Sequence, residues 1–261
     1  MNVTYALLKG LAVFLLASFS ACSIKDDRTV CPCRLVIDFS EIDTVAVRTV
    51  HTLLADGETV ISSSLYGARD FMPELVLEVP KSMIALNVYA GLDPELVLEK
   101  GLRIPLGEDC PELYMHSSAV DTEGESASEK ISLHKSFCRM RIEFVNTEGR
   151  FYALRLKSDV CGYDVDGEPV EGPFVYEPRM SDGRKCEVCL PRQTGSTMLM
   201  EIDDGTGVRK VFSLGEYIAA TGYDWTAEDL ADIDVIIDWS MTSIRLRVQD
   251  WESVHEYEIV M

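Results

Sequence analysis

Short runs in which apolar and polar residues alternate are the dominant pattern along this chain. Between Arg139 and Val145 the apolar side chains Met140, Ile142 and Phe144 occupy every second position. Alternate residues of a β-strand face the same side of a sheet, so this spacing predicts a strand with one buried face. The same spacing recurs at residues 34–39, 84–90 and 152–157.

The predicted elements are mostly strands, and most are separated by turn residues. Strands are predicted at 34–39, 44–54, 59–63, 75–79, 84–90, 131–134, 139–145, 152–157, 197–202, 208–214, 234–239, 244–248 and 254–261, and short helices at 216–220 and 226–231. In 84–90 we expect a half-buried strand, with Leu86 and Val88 on one face and Asn87 and Tyr89 on the other. Asp164 to Glu168 (DVDGE) is predicted as a hairpin turn, since an Asp-Gly pair between extended segments favours that turn and the other calcium ligands of an EF-hand are missing.

Many short strands with frequent turns and little helix predict an all-β protein, most simply two β-sandwich domains in series. The stretch 91–129 is less regular and is predicted as loop-rich, ending in an acidic loop. The denser strand pattern that follows places a domain boundary near Lys135. The prediction is therefore an N-terminal sandwich domain at 34–135 and a C-terminal sandwich domain at 136–261.

The first 21 residues have the layout of a signal peptide, with Lys9 before an apolar run at 11–19 and small residues at Ser20 and Ala21. The run is shorter than the roughly 20 residues that cross a bilayer. Because Cys22 follows directly, we expect cleavage after residue 21, a covalent lipid on Cys22 and a tether at 22–33. The alternative is an ordinary secretory signal in which Cys22 lies near the cut by chance.

The chain is acidic, and its charge narrows the choice of partners. The net charge is −20 over 261 residues, and no cluster of lysine and arginine is present. Phosphate binding needs clustered positive charge, so we expect no nucleic-acid partner and no polybasic membrane binding. The acidity is typical of a soluble exposed surface.

Eight cysteines raise the questions of metal binding and disulfides. A zinc site with four thiolate ligands could be formed by two pairs of cysteines, Cys186 with Cys189 and Cys31 with Cys33. However, CxC is a poor zinc motif, and no histidine lies near either pair. We therefore expect no metal site. One or two disulfides with the remaining thiols buried is the favoured alternative, with the pairing left open.

No motif of catalysis is found in the sequence. The histidines are scattered, and there is no nucleophile elbow, phosphate-binding loop or dinucleotide fingerprint. Trp225, Trp239 and Trp251 are candidates for a sugar site, although tryptophans in a chain of this size are more often core residues. We expect a protein that is not an enzyme and that has no cofactor beyond the lipid.

Several short motifs along the chain form a recognisable set. The first is a cysteine, expected to be lipidated, that is followed about ten residues later by a Cys-Pro pair and an apolar strand. The motifs are Cys22 with Cys31-Pro32-Cys33-Arg34-Leu35-Val36-Ile37, Tyr89-Ala90-Gly91-Leu92, the 162–167 turn followed by Tyr176-Glu177-Pro178, and Val248-Gln249-Asp250-Trp251. Together they resemble the minor-fimbrium anchoring-subunit family of Bacteroidota, which comprises the lipoprotein anchors and accessory subunits of type V pili. The likeness spans nearly all of residues 22–261.

The resemblance implies two transthyretin-like sandwich domains and a structural role at the base of a surface fimbrium. It also implies that the chain joins pilin subunits by strand addition. The candidate donor strand is the run at residues 254–261, which begins with Val254. Its side chains Tyr257, Ile259 and Met261 lie on one face. Alternate side chains of an added strand enter pockets of the acceptor. The alternative is that this run pairs within its own domain.

Lys25, Asp26 and Asp27 follow the lipid site and resemble the lysine-plus-acidic signal that sends Bacteroidota lipoproteins to the outer face of the outer membrane. The alternative is that these three residues are part of a solvated linker without a signal function. The favoured function is thus an outer-membrane lipoprotein that anchors or completes a fimbrium at the cell surface. The other candidate function is a surface lipoprotein or pilus tip adhesin that binds a glycan or host ligand.

Overall fold

The computed structural model describes residues 31–43, 46–67, 72–93, 100–145, 152–203, 205, 209–238, 243–249 and 254–260. In this part of the chain nearly all regular structure is β-strand, which confirms the predicted all-β class. The elements are β1 (Cys33–Asp38), β2 (Thr49–Asp56), β3 (Thr59–Gly67), β4 (Glu74–Val79), β5 (Met83–Ala90), β6 (Leu102–Arg103), β7 (Tyr114–Asp121), β8 (Ser126–Lys130), β9 (His134–Lys135), β10 (Phe137–Val145), β11 (Ala153–Tyr163), β12 (Pro169–Tyr176), β13 (Lys185–Pro191), β14 (Leu199–Asp203), β15 (Arg209–Phe212), α1 (Leu214–Ala220), β16 (Asp232–Asp238), β17 (Ser243–Gln249) and β18 (Val254–Val260).

Two sheets are built from residues 33–135 and form what we call the N-terminal sandwich. One has the strand order β4-β1-β8, and the other has the order β3-β2-β5-β7-β9. Their facing side chains make one buried cluster that includes Leu35 and Ile37 from the first sheet and Leu54, Ile84 and Leu86 from the second. Alternating side chains on two inner faces are the usual core of a β-sandwich.

Two further sheets form what we call the C-terminal sandwich. Their strand orders are β13-β10-β16-β17-β18 and β12-β11-β14-β15, and β6 joins the second of them by pairing with β11. Met140, Ile142 and Phe144 are buried against side chains of β11 such as Leu154 and Leu156, as the alternation predicts. The Phe144 ring stacks on Tyr152 with centroids 4.5 Å apart.

Sheet membership changes between Lys135 and Phe137, next to the predicted domain boundary. Strand β6 is the exception, because residues 102–103 lie early in the chain yet pair with the C-terminal sandwich. The division of the chain into domains at residue 135 stays a proposal that this change of sheet supports.

Three local predictions are wrong for physical reasons. The stretch 91–129, predicted as loop-rich, contains β6, β7 and part of β8. β8 has no apolar alternation of its own, and parallel pairing with β1 holds it in place. Residues 226–231 form turns rather than a helix, and Asp224 Oδ1 accepts hydrogen bonds from the backbone N–H and the hydroxyl of Thr226. Asn87 and Tyr89 are fully buried, so β5 is covered on both faces.

Candidate functional site

The last strand of the described chain lies at the edge of a sheet. β18 pairs antiparallel with β17 over its full length, from Gln249 opposite Val254 to Ser243 opposite Val260. Among the described strands it has no second neighbour. The candidate donor residues Val254, Tyr257 and Ile259 lie in this strand, whereas Met261 lies outside the described residues. The structure therefore shows the pairing within the chain that the alternative interpretation expects, and strand donation stays a prediction.

Among the described strands, β4 in the N-terminal sandwich also has a neighbour on one side only. The sheet β4-β1-β8 has only three strands against five in the facing sheet, and β4 is its outer strand. Val76 of β4 is 44% exposed, while Leu75 and Leu77 are only partly buried against the core. Glu74 and Glu78 place charges on the same edge, and edge charges are a common protection against uncontrolled strand pairing. This edge is a candidate acceptor of an added strand.

A groove of about 1040 Å³ lies between the segment at 41–49 and the ends of β5 and β7. Its apolar lining comes from Ile42, Val47, Leu92, Ile131 and Leu133. Charged side chains also line it, namely Glu41, Asp43, Arg48 and Glu112, so the groove combines an apolar floor with polar groups.

A cleft of about 690 Å³ on the outer face of the sheet with β10 is lined by charged side chains. Arg141 Nε donates to Asp234 Oδ1 at 2.6 Å, and Lys185 Nζ lies 2.9 Å from Glu143 Oε1. The hydrogen bond to Asp234 is the largest cause that raises the pKa of Arg141. Arg141 and Lys185 are already paired with carboxylates on neighbouring strands. We therefore interpret this cleft as a solvated sheet surface with cross-strand ion pairs rather than as a ligand site.

A third cleft, of about 730 Å³, combines aromatic rings with polar side chains. Tyr223 and Trp225 line it with ring centroids 4.6 Å apart, together with Gln193 and Thr194. Arg192 Nη1 donates to the carbonyl oxygens of Trp225 and Ala227 at 2.6 Å each and so fixes this loop. Aromatic faces beside amide and hydroxyl groups are the composition of a carbohydrate site. Of the three tryptophans proposed from the sequence, only Trp225 lies in the described part of the chain.

A hairpin and a connecting segment hold the two sandwiches together. The turn after β11 packs on the N-terminal sandwich, where Asn87 Nδ2 donates to Val165 O and Ser117 Oγ donates to Asn87 Oδ1. Tyr163 is fully buried, and its hydroxyl donates to Ser136 O at 2.6 Å and accepts from Arg192 N–H at 2.9 Å.

The segment 102–113, here called the strap, runs from the N-terminal sandwich across the C-terminal one. Its backbone N–H groups donate to the other sandwich at three places. These are Ile104 to Cys161 O at 2.8 Å, Gly107 to Val175 O at 2.9 Å and Cys110 to Cys189 O at 3.3 Å. The strap returns at Leu113, whose carbonyl accepts from Ser136 N–H at 2.9 Å. Sequence reasoning missed it because the stretch has no alternating pattern.

Most of the predicted site residues lie outside the described part of the chain. This holds for Cys22 and for Lys25, Asp26 and Asp27. Among the described residues no group of three or more histidine, cysteine, aspartate or glutamate side chains could hold a metal ion. The seven described cysteines carry free thiols, so the structure shows no disulfide among them. In the same part of the chain no helix is long and apolar enough to cross a membrane.

Comparison with known proteins finds likeness at the level of structure only. No protein-family model matches the chain, and no curated protein matches it. The fimbrial anchor protein Mfa2 from Porphyromonas gingivalis is similar, with a TM-score of 0.59 at 12% identity over 87% of this chain and 100% of that chain. A candidate polysaccharide-binding protein from Bacteroides thetaiotaomicron has a TM-score of 0.60 at 15% identity, over 86% of this chain and 98% of that chain.

A candidate adhesin from Bacteroides ovatus has a TM-score of 0.55 at 13% identity and is matched over 87% of this chain and 95% of that chain. All three likenesses run through both sandwiches, because each covers more than four fifths of this chain. The chain therefore has the fold of these fimbrial and adhesin proteins, as the resemblance noted in its sequence implies.

Proposed function

We propose that this chain is an accessory subunit of a surface fimbrium, most specifically the anchor that holds it on the outer membrane. In this proposal the lipid on Cys22 fixes the chain to the membrane, and pilin subunits join it by strand addition. The likeness to a fimbrial anchor protein over that protein's whole length supports the proposal.

The observation that carries the proposal is the position of β18. It is the last described strand of the chain and the outer strand of its sheet, and it pairs with β17 alone among the described strands. An outer strand with a single partner can leave its sheet without breaking any other pairing. Its free backbone groups are then available to complete a sheet in a neighbouring subunit.

Deletion of residues 254–261 tests the proposal in cells. We expect the shortened lipoprotein to stay in the outer membrane while fimbriae are shed into the medium, as measured by immunoblotting of both fractions. Fimbriae that remain attached would contradict strand addition through this run.

A matched pair of substitutions separates loss of docking from loss of the strand itself. Tyr257→Lys with Ile259→Lys places charge on the apolar set of the run. Glu256→Gln with Glu258→Gln changes the intervening positions without setting like charges opposite Arg247 and Arg245 of β17. We expect the first pair to shed fimbriae and the second to retain them. Equal behaviour of the two pairs would contradict a face-specific donor strand.

The membrane part of the proposal rests on the sequence of residues 22–27. Replacing Lys25, Asp26 and Asp27 by alanine should leave lipidation of Cys22 intact, measured by labelling with a fatty acid, but remove the protein from protease-accessible surface. If surface exposure survives, these residues are not an export address.

The second candidate function is glycan binding by a surface lipoprotein or a tip adhesin. The cleft with Tyr223 and Trp225 favours it, and one of the similar structures is a candidate polysaccharide-binding protein. Binding of the full chain to a glycan array, lost in Trp225→Ala and retained in Tyr114→Ala outside this cleft, would support it. Absence of any binding would leave the anchor proposal alone.

A further inference from the structure

We propose that Cys110 and Cys189 form a disulfide bond that fastens the strap at residues 102–113 to strand β13. The bond requires only an oxidising compartment and does not depend on strand addition. It gives a role to two of the seven free thiols in the described part of the chain.

The backbone geometry brings the two cysteines to bonding range. Cys110 N–H donates to Cys189 O at 3.3 Å, and Cys189 N–H donates to Asp109 Oδ1 at 2.9 Å. The first bond sets the two backbones side by side like neighbouring strands, in which opposed Cα atoms lie about 4.5 to 5.5 Å apart. Disulfides span Cα separations of roughly 4.4 to 6.8 Å, so the strap needs no large movement to close the bond.

The side-chain contacts also converge on this position. Cys189 stands opposite Arg139 in the pairing of β13 with β10. Arg139 forms ion pairs with Glu112 of the strap and, at 3.2 Å, with Glu187 of β13. Cys110 is 2% exposed, Cys189 is 6% exposed, and both belong to one buried apolar cluster. Both cysteines are therefore buried where the strap crosses β13. The free Cys110 thiol donates to Pro111 O at 3.4 Å, so the bond requires this side chain to turn towards Cys189.

Other pairings fit less well. Cys138 precedes Arg139 on β10, and neighbours along a strand face opposite sides of the sheet, so Cys138 faces the core on the side away from Cys189. Cys161 lies on β11 against Gly172, and Cys33 lies in the core of the N-terminal sandwich. Cys31 is exposed.

The reaction joins the two sulfur atoms and releases two protons and two electrons. The electrons reduce the disulfide of a thiol–disulfide oxidant, such as oxidised glutathione, to two thiols. The attacking species is a thiolate. Burial raises the pKa of Cys189 to about 12 and that of Cys110 well above its ordinary value, so neither attacks readily in the folded chain. We therefore place bond formation before the strap has docked, and we expect the buried bond to resist reductants afterwards.

The bond would link a segment of the first part of the chain to the edge strand of the C-terminal sandwich. It closes a loop of roughly 80 residues, which is the range in which a crosslink restricts the unfolded chain strongly.

Peptide mapping of the protein as it exists tests the proposal. The full chain is taken from membranes, its free thiols are capped with N-ethylmaleimide in denaturant at lysis, and it is digested without reductant. We expect one linked peptide pair that contains Cys110 and Cys189, with the other described cysteines capped. Capped Cys110 and Cys189, or a link from either of them to any other cysteine, such as Cys138 or Cys186, would overturn the proposal. The map does not depend on which proteins accompany the chain, so it can fail while the fimbrial proposal stands.

Refolding provides a second measurement with matched variants. The full chain is unfolded, reduced and refolded with reduced and oxidised glutathione. The oxidised chain should melt roughly 10 °C above the reduced chain, as expected for a crosslink of this span in a protein of this size. The difference should persist in Cys138→Ser and vanish in Cys189→Ser. Equal melting temperatures of the oxidised and reduced parent chain would overturn the proposal, even if a variant fails to fold.

Discussion

Gly167 lies at a close contact between the two sandwiches. Its φ is +80°, a conformation that favours glycine, and a Cβ atom there would lie 2.0 Å from Ser117 Oγ and 2.7 Å from Asn87 Oδ1. Those two side chains hold the hairpin, since Asn87 donates to Val165 O and accepts from Ser117. A side chain at residue 167 would therefore strain the turn and displace both partners.

We expect Gly167→Ala to lower the free energy of unfolding by about 3 kcal/mol, through left-handed strain and overpacking together. Gly57→Ala is the matched control, because its φ is +55° and no atom lies within 4 Å of its Cβ. The control should cost only the strain, about 1 kcal/mol. Urea denaturation measures both, and equal losses would show that the contact with Ser117 and Asn87 is unimportant.

Asp109 should make stability depend on pH in an unusual direction. Burial raises its pKa from 3.8 to about 6 in the folded chain. The folded state then binds more protons than the unfolded state between these values, so its contribution to stability falls as pH rises from about 4 to about 6 and is constant above.

Asp109→Asn removes this titration and keeps an oxygen that can accept from Cys189 N–H. We therefore expect the stability of the variant relative to the parent chain to rise across this pH range, measured by thermal unfolding at a series of pH values. A constant difference between pH 4 and pH 7 would contradict a raised pKa at Asp109.

At the residue scale, alternation predicts burial well for a strand that packs on the core with one face only. Met140, Ile142 and Phe144 are at most 1% exposed, as the sequence predicts. Asn87 and Tyr89 are buried against expectation, because a hairpin from 78 residues further along the chain covers them through Val165. The pattern within one strand carries no information about such a remote segment.

Strand β18 should be the element that opens most readily. It pairs with one neighbour among the described strands, whereas β16 pairs with β10 on one side and β17 on the other. An outer strand opens locally without unfolding the sheet, so its amide protons exchange sooner.

We expect the amides of residues 254–260 to exchange at least about 100-fold faster than those of residues 232–238, in hydrogen exchange read by mass spectrometry. Faster exchange means a lower free energy of local opening, which a donor strand needs in order to leave its own sheet. Comparable protection of the two strands would argue that β18 is a fixed part of the C-terminal sandwich.

At the element scale, the sequence predicts strands with their own apolar alternation and misses those held by neighbours. β10, β16 and β17 lie within two residues of their predicted bounds. β8 was predicted as loop because its residues are small or charged, and only pairing with β1 makes it a strand. β13 is not among the predicted strands, although Cys186, Val188 and Leu190 alternate and are buried.

At the scale of the whole molecule, the sequence predicts two sandwiches but not how they are joined. The strap and the hairpin depend on contacts between residues up to about 80 positions apart, such as Cys110 with Cys189. Lipidation of Cys22 and the address at residues 25–27 stay predictions, since both lie outside the described residues. The fold is that of fimbrial and adhesin proteins, and the fimbrial role is our proposal.

The most direct test of that proposal is the set of proteins that co-purify with the full chain from detergent-solubilised outer membranes. A chain that lacks residues 254–261 is purified in parallel, and both samples are compared by quantitative mass spectrometry. We expect a β-rich pilin subunit to accompany the full chain and to be depleted at least about tenfold with the shortened chain, in line with loss of an added strand. Equal recovery of that subunit with both chains, or no such subunit with either, would contradict the account.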